Sequence, residues 1–163
     1  MPPVPQLARV VLLLVSSLAA GGLAAREAAQ PPAFKPKTDS FDFVKREQMI
    51  PMRDGVKLKT FILVPKGAKD APMLLARTPY SAAARVTRFQ SPHLAAVVPQ
   101  MLDTAVEAGY IIVYQDVRGK YGSEGDYVMN RPLRGPLNPT EVDHATDTYD
   151  TIDWLVKNTP ESN

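Results

Sequence analysis

One serine of the sequence lies in a setting that resembles that of a catalytic nucleophile. Ser123 stands in QDVRGKYGSEGDY, directly after the apolar run YIIVY. A nucleophilic serine exposed at the top of an α/β sheet occupies a Gly-x-Ser-x-Gly turn between a strand and a helix. The position two residues before Ser123 is Tyr121 instead of glycine, and the following GDYVMNRPLRGPLNP contains two glycines and three prolines. The pattern therefore favours a loop serine that satisfies backbone groups in a turn.

Few other residues are candidates for acid–base or metal chemistry. Ser123, Asp126 and His144 follow the chain order of a Ser-Asp-His triad, but Asp126 shares the loop of Ser123 instead of ending a later strand. The two histidines, His93 and His144, form no motif with metal-ligand spacing. The absence of cysteine excludes disulfides, thiolate zinc sites and thiol nucleophiles. Five acidic residues between 141 and 153 lack the spacing and glycine of a calcium loop, so we expect a solvated helix face and no metal or other cofactor.

The overall composition is that of a globular domain. Hydrophobic residues make up 45% of the 163 residues, which is enough apolar material for one core. Basic side chains number 19 against 17 acidic ones, and no basic stripe is present, so the sequence does not predict a nucleic-acid partner.

The N-terminus has the features of an export signal. Arg9 precedes 16 uncharged residues, 10–25, that end in small side chains. A spanning helix needs about 20 apolar residues, so residues 1–25 predict a cleaved signal peptide and a periplasmic or secreted protein with no lasting membrane anchor. An uncleaved anchor and a buried helix are the alternatives. Residues 26–40 form a Pro-rich leader, and residues 41–163 form the domain.

The domain begins with strands and then alternates strands with helices. FVKREQMIPM and VKLKTFILVP flank Asp54-Gly55, the strongest short hairpin signal. APMLLART and YIIVYQDV predict two further strands, and apolar residues at helical spacing between 94 and 106 predict a helix interrupted by Pro99. A last helix follows, with Thr140 as its N-cap. This order predicts an α/β fold whose sheet starts from an antiparallel edge.

The last helix is expected to bury one apolar face. Trp154 lies beside that face and is expected in the core. Asp147, Asp150 and Asp153 are expected on the solvated side or its flanks. The apolar face comprises Val142, Ala145, Tyr149, Ile152, Leu155 and Val156.

One long stretch resembles a known family. QDVRGKYGSEGDYVMNRPLRGPLNPTEVDHATDTYDTIDWLVKN is similar to the α-amino acid ester hydrolases, which belong with the X-prolyl dipeptidyl-peptidases and the cocaine-esterase-type serine hydrolases. The motif Asp-x-Arg-Gly-x-x-x-Ser-x-Gly of that wider group stands at Asp116, Arg118, Gly119, Ser123 and Gly125. RDGVKLKTFILVP and LLARTPYS match the opening hairpin and third strand of the group, so the resemblance covers residues 42–163.

The resemblance implies the N-terminal part of an α/β-hydrolase fold, truncated before the strand that carries the nucleophile. The implied activity is acyl hydrolysis or transfer on small α-amino acid esters and α-amino β-lactam antibiotics, through a serine acyl-enzyme and without a cofactor. The nucleophile, acid and histidine of the triad are then expected beyond this chain, and the full-length enzyme is expected to be a homo-oligomer. The alternatives are a fragment of an X-prolyl dipeptidyl-peptidase or of a general carboxylesterase, and a non-catalytic exported binding module.

Tyr80 is the one catalytic position that the resemblance assigns to this chain. In RTPYS it matches the tyrosine whose hydroxyl donates to the oxyanion in this group, and the loop after the third strand supplies part of the oxyanion hole in α/β-hydrolases. The alternative is a half-buried tyrosine that anchors a Pro-containing loop. Arg118 is expected to hold its loop through carbonyl groups and Asp116 to fix the loop as a carboxylate, while Tyr121 and Tyr127 are expected to border the acyl pocket.

Overall fold

The computed structural model describes residues 40–87 and 91–163, which form a four-stranded sheet with helices on both faces. The strands are β1 (Phe43–Pro51), β2 (Lys57–Pro65), β3 (Met73–Thr78) and β4 (Ile111–Asp116). The helices are α1 (Ala82–Thr87), α2 (Leu94–Val97), α3 (Asp103–Glu107) and α4 (His144–Asn158), with a 3-10 turn at Gln100–Leu102. The predicted signal peptide lies outside the described residues, as does the leader except for its last residue.

The sheet has the order β1-β2-β4-β3 and confirms the predicted antiparallel entry into an α/β fold. β1 and β2 pair around the Asp54-Gly55 turn, with Pro51 opposite Lys57. β2 is antiparallel to β4, whereas β3 and β4 are parallel. Gly55 has φ +85°, a conformation that glycine adopts without strain.

Alternating side chains of β4 build a core on each face of the sheet. Ile112 and Tyr114 pack with Phe61 and Leu63 of β2 beneath the short helices α1 and α2. On the opposite face, residues of β2 and β4 pack against Leu155 of α4. All six residues of β4 are buried, as expected for a central strand covered on both sides.

The start of α4 differs from the prediction. Asp143, not Thr140, is the N-cap: its side chain accepts from Thr146 N, and the Thr146 hydroxyl accepts from Asp143 N, which makes a reciprocal capping box. The Thr140 hydroxyl is engaged in the turn before the helix, where it donates to the Asn138 side chain and to the Val142 carbonyl. The helix therefore has a reciprocal cap, but the cap begins three residues after the predicted N-cap.

The buried face of α4 also differs from the prediction. Tyr149, Ile152 and Val156 are 67%, 48% and 55% exposed, whereas Asp147 and Thr151 are buried together with Leu155. The expected core position of Trp154 is only partly reached, since its side chain packs against the core from a half-buried position. The helix thus turns a different face toward the sheet than the sequence predicts. Polar side chains at this end of the sheet explain the difference, because they supply hydrogen-bond partners to Asp147 and Thr151.

Two further comparisons with the sequence concern helices. The helical segment around Pro99 is interrupted as predicted, with α2 ending at Val97 and α3 starting at Asp103. The short helix α1 was not predicted, since it carries only two buried residues and no full apolar period. Within residues 40–87 and 91–163, no helix has the length and apolar character needed to cross a membrane.

Candidate functional site

The carboxyl ends of β3 and β4 lie side by side and start the two loops that carry the marked residues. Thr78, the last residue of β3, is in register with Asp116, the last residue of β4. The backbone N–H of Val117 donates to the Thr78 carbonyl at 3.1 Å. Ligands of open α/β sheets bind outside the carboxyl ends of parallel strands, so this edge is the place to look for chemistry.

Tyr80 is displayed at this edge by a fixed backbone. Its N–H donates to the Thr78 hydroxyl at 3.0 Å, while the residue itself is 71% exposed. The following Ser81 has φ +61°, a strained conformation for a residue other than glycine. Ser81 Oγ accepts from Ala84 N at 3.2 Å in the first turn of α1. Tyr80 therefore lies at the surface of the described chain at this edge of the sheet, and its role at an oxyanion stays a prediction.

Asp116, at the end of the neighbouring strand β4, fixes the loop that carries Tyr80. Its Oδ1 accepts from Ala82 N at 2.6 Å, two residues after Tyr80. Asp116 is buried, and its Oδ2 has no hydrogen-bond partner among the described residues. Burial raises the pKa of the Asp116 carboxyl above its ordinary value, against the opposing effects of the Ala82 and Gly122 N–H groups and the Lys59 charge. The sequence-based expectation of a loop-fixing carboxylate is confirmed.

Ser123 serves the backbone, as predicted. Its hydroxyl donates to the Asp116 carbonyl at 2.7 Å and accepts from Lys59 N at 2.8 Å. The residue is buried. Because the hydroxyl donates to one main-chain carbonyl and accepts from one main-chain N–H, Ser123 joins the β4 loop to β2.

Arg118 holds its loop through carboxylates, so the expectation of carbonyl partners is wrong. Its guanidinium donates to Asp147 at 2.6 and 3.1 Å and to Asp54 at 2.7 and 3.2 Å. Burial by itself lowers the pKa of Arg118, but the hydrogen bonds and charges of the two carboxylates outweigh it and raise the pKa. The cluster ties the β1–β2 turn, the β4 loop and α4 together at one point, which is why Asp147 is buried and not solvated.

A second arginine, Arg77, extends this set of polar contacts between α4 and the sheet and was missed by sequence reasoning; its side chain is 11% exposed. Arg77 Nε donates to Gln115 Oε1 at 2.8 Å, and its Nη1 donates to Thr148 Oγ1 at 2.7 Å. Gln115 in turn donates to Thr60 and Thr151, each at 3.0 Å. Burial lowers the pKa of Arg77, although Asp147, with an oxygen 3.7 Å from Nη2, opposes the shift. The available signal was a polar residue inside each of three apolar strands: Thr60 in β2, Arg77 in β3 and Gln115 in β4.

His144 joins this network only through its carbonyl, which accepts from Arg77 Nη1 at 2.9 Å, and the remaining marked residues lie apart from it. Tyr121 is 65% exposed, and the Lys120 ammonium lies 4.1 Å from the ring centroid of Tyr127. The role of the two tyrosines at an acyl pocket stays a prediction. His93 is exposed beside Asp42, with 3.2 Å between Nδ1 and Oδ2. Across the described ranges, no group of histidine, aspartate and glutamate side chains is arranged to hold a metal ion.

Comparison with known proteins gives one family match and several related proteins. The model of the X-Pro dipeptidyl-peptidase (S15) family matches residues 54–163. A curated cocaine esterase from Rhodococcus sp. (strain MB1 Bresler) is 32% identical over 109 residues, which are 67% of this chain and 16% of that protein.

Two solved structures are much more similar. The crystal structure of an aminopeptidase from the marine sediment archaeon Thaumarchaeota archaeon is 65% identical, with a TM-score of 0.79, over 86% of this chain and 23% of that one. An α-amino acid ester hydrolase is 61% identical, with a TM-score of 0.79, over 87% of this chain and 23% of that one. The chain thus spans less than a quarter of the length of each of these relatives.

Proposed function

The chain belongs to the S15 family of X-Pro dipeptidyl-peptidases, and from that premise we propose that it supplies the N-terminal part of a serine hydrolase acting on α-amino acid esters. The 61% identity to an α-amino acid ester hydrolase supports this substrate class. β-Lactam antibiotics with an α-amino side chain are a second proposed substrate, because their acyl group carries the same free amine beside the carbonyl.

The observation that carries the proposal is the placement of Tyr80. Its side chain is 71% exposed at the carboxyl end of β3, on a loop held by Thr78 and Asp116. Acyl transfer passes through a tetrahedral intermediate whose former carbonyl oxygen carries a negative charge. A fixed O–H donor at that oxygen stabilises the transition state by about 3 kcal/mol. We assign this donor role to the Tyr80 hydroxyl.

The proposed reaction has two acyl-transfer steps. A serine hydroxyl adds to the ester carbonyl, the carbonyl re-forms as the alcohol leaves, and an acyl-enzyme results. Water, or the amine of a β-lactam nucleus, then attacks the acyl-enzyme and regenerates the serine. The serine, its histidine and the acid are proposed to come from residues outside this chain, because Ser123 is engaged by the backbone on both sides.

Proteolysis is the second candidate function. The 65% identity to an aminopeptidase and the match to the X-Pro dipeptidyl-peptidase family favour a protein that acts on peptides with a free α-amino group. A general carboxylesterase is a weaker candidate, supported by 32% identity to a cocaine esterase. The three candidates differ in whether the free amine and a proline are needed.

A substrate comparison with the complete protein separates these candidates. We expect kcat/KM to be highest for a phenylglycine methyl ester and to fall at least about tenfold for its N-acetyl derivative, since acetylation removes the ammonium group. Preference for Ala-Pro-p-nitroanilide over the ester would support the dipeptidyl-peptidase instead. Equal rates on the free and acetylated esters would support the general carboxylesterase.

The present chain alone is proposed to be inactive. We expect neither a product burst with an activated α-amino ester nor covalent labelling by a fluorophosphonate probe. Stoichiometric labelling that Ser123→Ala abolishes would overturn this proposal and make the chain a hydrolase with its own nucleophile. If the complete protein also failed to react with the probe, the binding-module alternative would be supported.

Export of the protein is also a proposal. Residues 1–25 have the charge and length pattern of a cleaved signal, so the mature protein should begin near Arg26 in the periplasm or the medium. Mass spectrometry of the mature N-terminus tests the cleavage. Light scattering of the complete enzyme tests the proposed homo-oligomer.

A further inference from the structure

The backbone around Tyr80 is fixed by a small set of hydrogen bonds in which Asp116 has the central place. Thr78 Oγ1 accepts from Tyr80 N at 3.0 Å on one side, and Asp116 Oδ1 accepts from Ala82 N at 2.6 Å on the other. Thr78 and Asp116 are register partners on adjacent strands. The peptide units on both sides of the Tyr80–Ser81 pair are therefore attached to the same rigid edge of the sheet.

The residue between these attachments is strained. Ser81 has φ +61°, which an L-residue other than glycine adopts at an energetic cost and keeps only where its surroundings fix it. The hydrogen bond from Ala82 N to Asp116 lies directly after the strained residue. Without that acceptor, the loop could relax toward ordinary backbone angles, and the direction of the preceding Tyr80 side chain would change with it.

Asp116 is itself rigidly held. Ser123 Oγ donates to its carbonyl at 2.7 Å, and Val117 N donates to the Thr78 carbonyl at 3.1 Å. Its side chain lies within the buried end of β4. A carboxylate on a central strand is a more rigid reference point than one on a loop, and a productive catalytic geometry tolerates displacements of only about 0.5 Å.

We propose that Asp116 is the positioning residue for Tyr80: its carboxylate fixes the strained turn at Ser81, so that the Tyr80 hydroxyl is directed to the oxyanion formed at the sheet edge. This inference rests on the proposed function and adds a residue to it. Asp116 does not touch the substrate, and its effect on catalysis passes through the tyrosine hydroxyl. The effect should therefore disappear when that hydroxyl is absent.

The test is a double-mutant cycle in the complete hydrolase, with kcat normalised to active sites titrated by a fluorophosphonate. Asp116→Asn keeps the branching and an oxygen acceptor for Ala82 N, whereas Asp116→Leu keeps the branching alone. We expect Asp116→Asn to retain kcat within about threefold and Asp116→Leu to lower it about 10- to 100-fold with KM nearly unchanged, because only transition-state binding is lost. Asp126→Asn, a charge change at an exposed residue of the loop that follows β4, is the control and should match the wild type.

The decisive comparison is made in a Tyr80→Phe background. There we expect Asp116→Leu to lower kcat by less than about threefold, since no hydroxyl remains to be positioned. Equal losses in both backgrounds would overturn the inference while leaving the role of Tyr80 intact. A Tyr80→Phe variant with wild-type kcat would instead overturn the oxyanion role proposed for Tyr80, on which this inference rests.

A second variant covers the case in which Asp116→Leu does not fold. Thr78→Val removes the acceptor of Tyr80 N from the other side of the turn with almost no change of shape. It should lower kcat several-fold in the wild-type background and have little effect in the Tyr80→Phe background. Unchanged kcat of Thr78→Val, measured on titrated sites, would show that fixing this turn is not what catalysis requires.

Discussion

Replacing Asp147 by asparagine should destabilise the domain more than any change of equal size on the outer face of α4. The side chain of Asp147 is 2% exposed and that of Arg118 is 6% exposed, and two hydrogen bonds of 2.6 and 3.1 Å join them. A second guanidinium, that of Arg77, lies 3.7 Å away. Asp147→Asn removes the carboxylate that the two guanidinium groups share: Arg118 keeps Asp54, whereas Arg77 has no other carboxylate within ion-pair distance in the described part of the chain. The substitution also turns an NH₂ group toward N–H donors.

The expected magnitude follows from the burial. Removing one partner of a buried ion pair costs about 3–5 kcal/mol, since an uncompensated charge stays in a poorly solvated site. Domains of this size are stable by about 5–15 kcal/mol, so about a fifth or more of the free energy of unfolding should be lost. Arg118→Met in the same background should recover part of the loss, because it removes the buried cation that has lost one of its two carboxylate partners.

The same helix offers a matched control. Asp153 pairs with Lys157 one turn later, but these side chains are 47% and 67% exposed. Asp153→Asn should therefore cost no more than about 0.5 kcal/mol. Urea unfolding followed by the fluorescence of Trp154, the single tryptophan of the chain, reports on the packing of α4 in both variants. If the two substitutions shifted the midpoint equally, the Arg118–Asp147 pair would not be the tie between α4 and the sheet that the structure indicates.

Three further predictions concern the loops and the pH. Ser123→Ala should cost about 1–3 kcal/mol, because it leaves a buried main-chain donor and acceptor without their shared hydroxyl, and urea unfolding measures it. Gly119→Ala should destabilise far more than Gly67→Ala in thermal melts: both have positive φ, but a Cβ at Gly119 would overlap the facing loop backbone, while Gly67 faces open space. The hydrogen bond from Arg53 holds the pKa of Asp150 below its ordinary value. The free energy of unfolding should therefore fall as the pH is lowered from about 5 through the pKa of the folded state. Asp150→Asn should reduce this pH dependence in acid titrations followed by circular dichroism.

The sheet could be predicted from the sequence because the patterns that indicate its strands and turn are local in the chain. An Asp-Gly turn between two alternating runs sets the β1–β2 pairing, and a β-branched apolar run predicts the central strand β4. The polar contacts between α4 and the sheet could not be predicted from the sequence, since they join residues far apart in the chain. Asp147 meets Arg118 and Arg77 only after the strands have brought these arginines to one face. Without those partners, an aspartate on a helix is expected in solvent.

The same reasoning explains the error in the face of α4. An apolar stripe of Tyr149, Ile152 and Val156 has helical spacing, so it predicts a core face. The buried arginines and Gln115 instead select the side that carries Asp147 and Thr151. For the candidate site, the loop roles of Ser123 and Asp116 followed from turn chemistry and from the resemblance. The strained turn at Ser81 could not be foreseen, because no glycine marks it.

The most direct test of the account is the turnover of Tyr80→Phe in the complete hydrolase, measured with an α-amino acid ester on titrated active sites. The substitution removes one hydroxyl and leaves the ring, and the exposed position means that stability should hardly change. If the hydroxyl stabilises the oxyanion, kcat should fall about 100- to 1,000-fold with KM nearly constant. Wild-type kcat, or a loss that appears only as a lower melting temperature, would contradict the account.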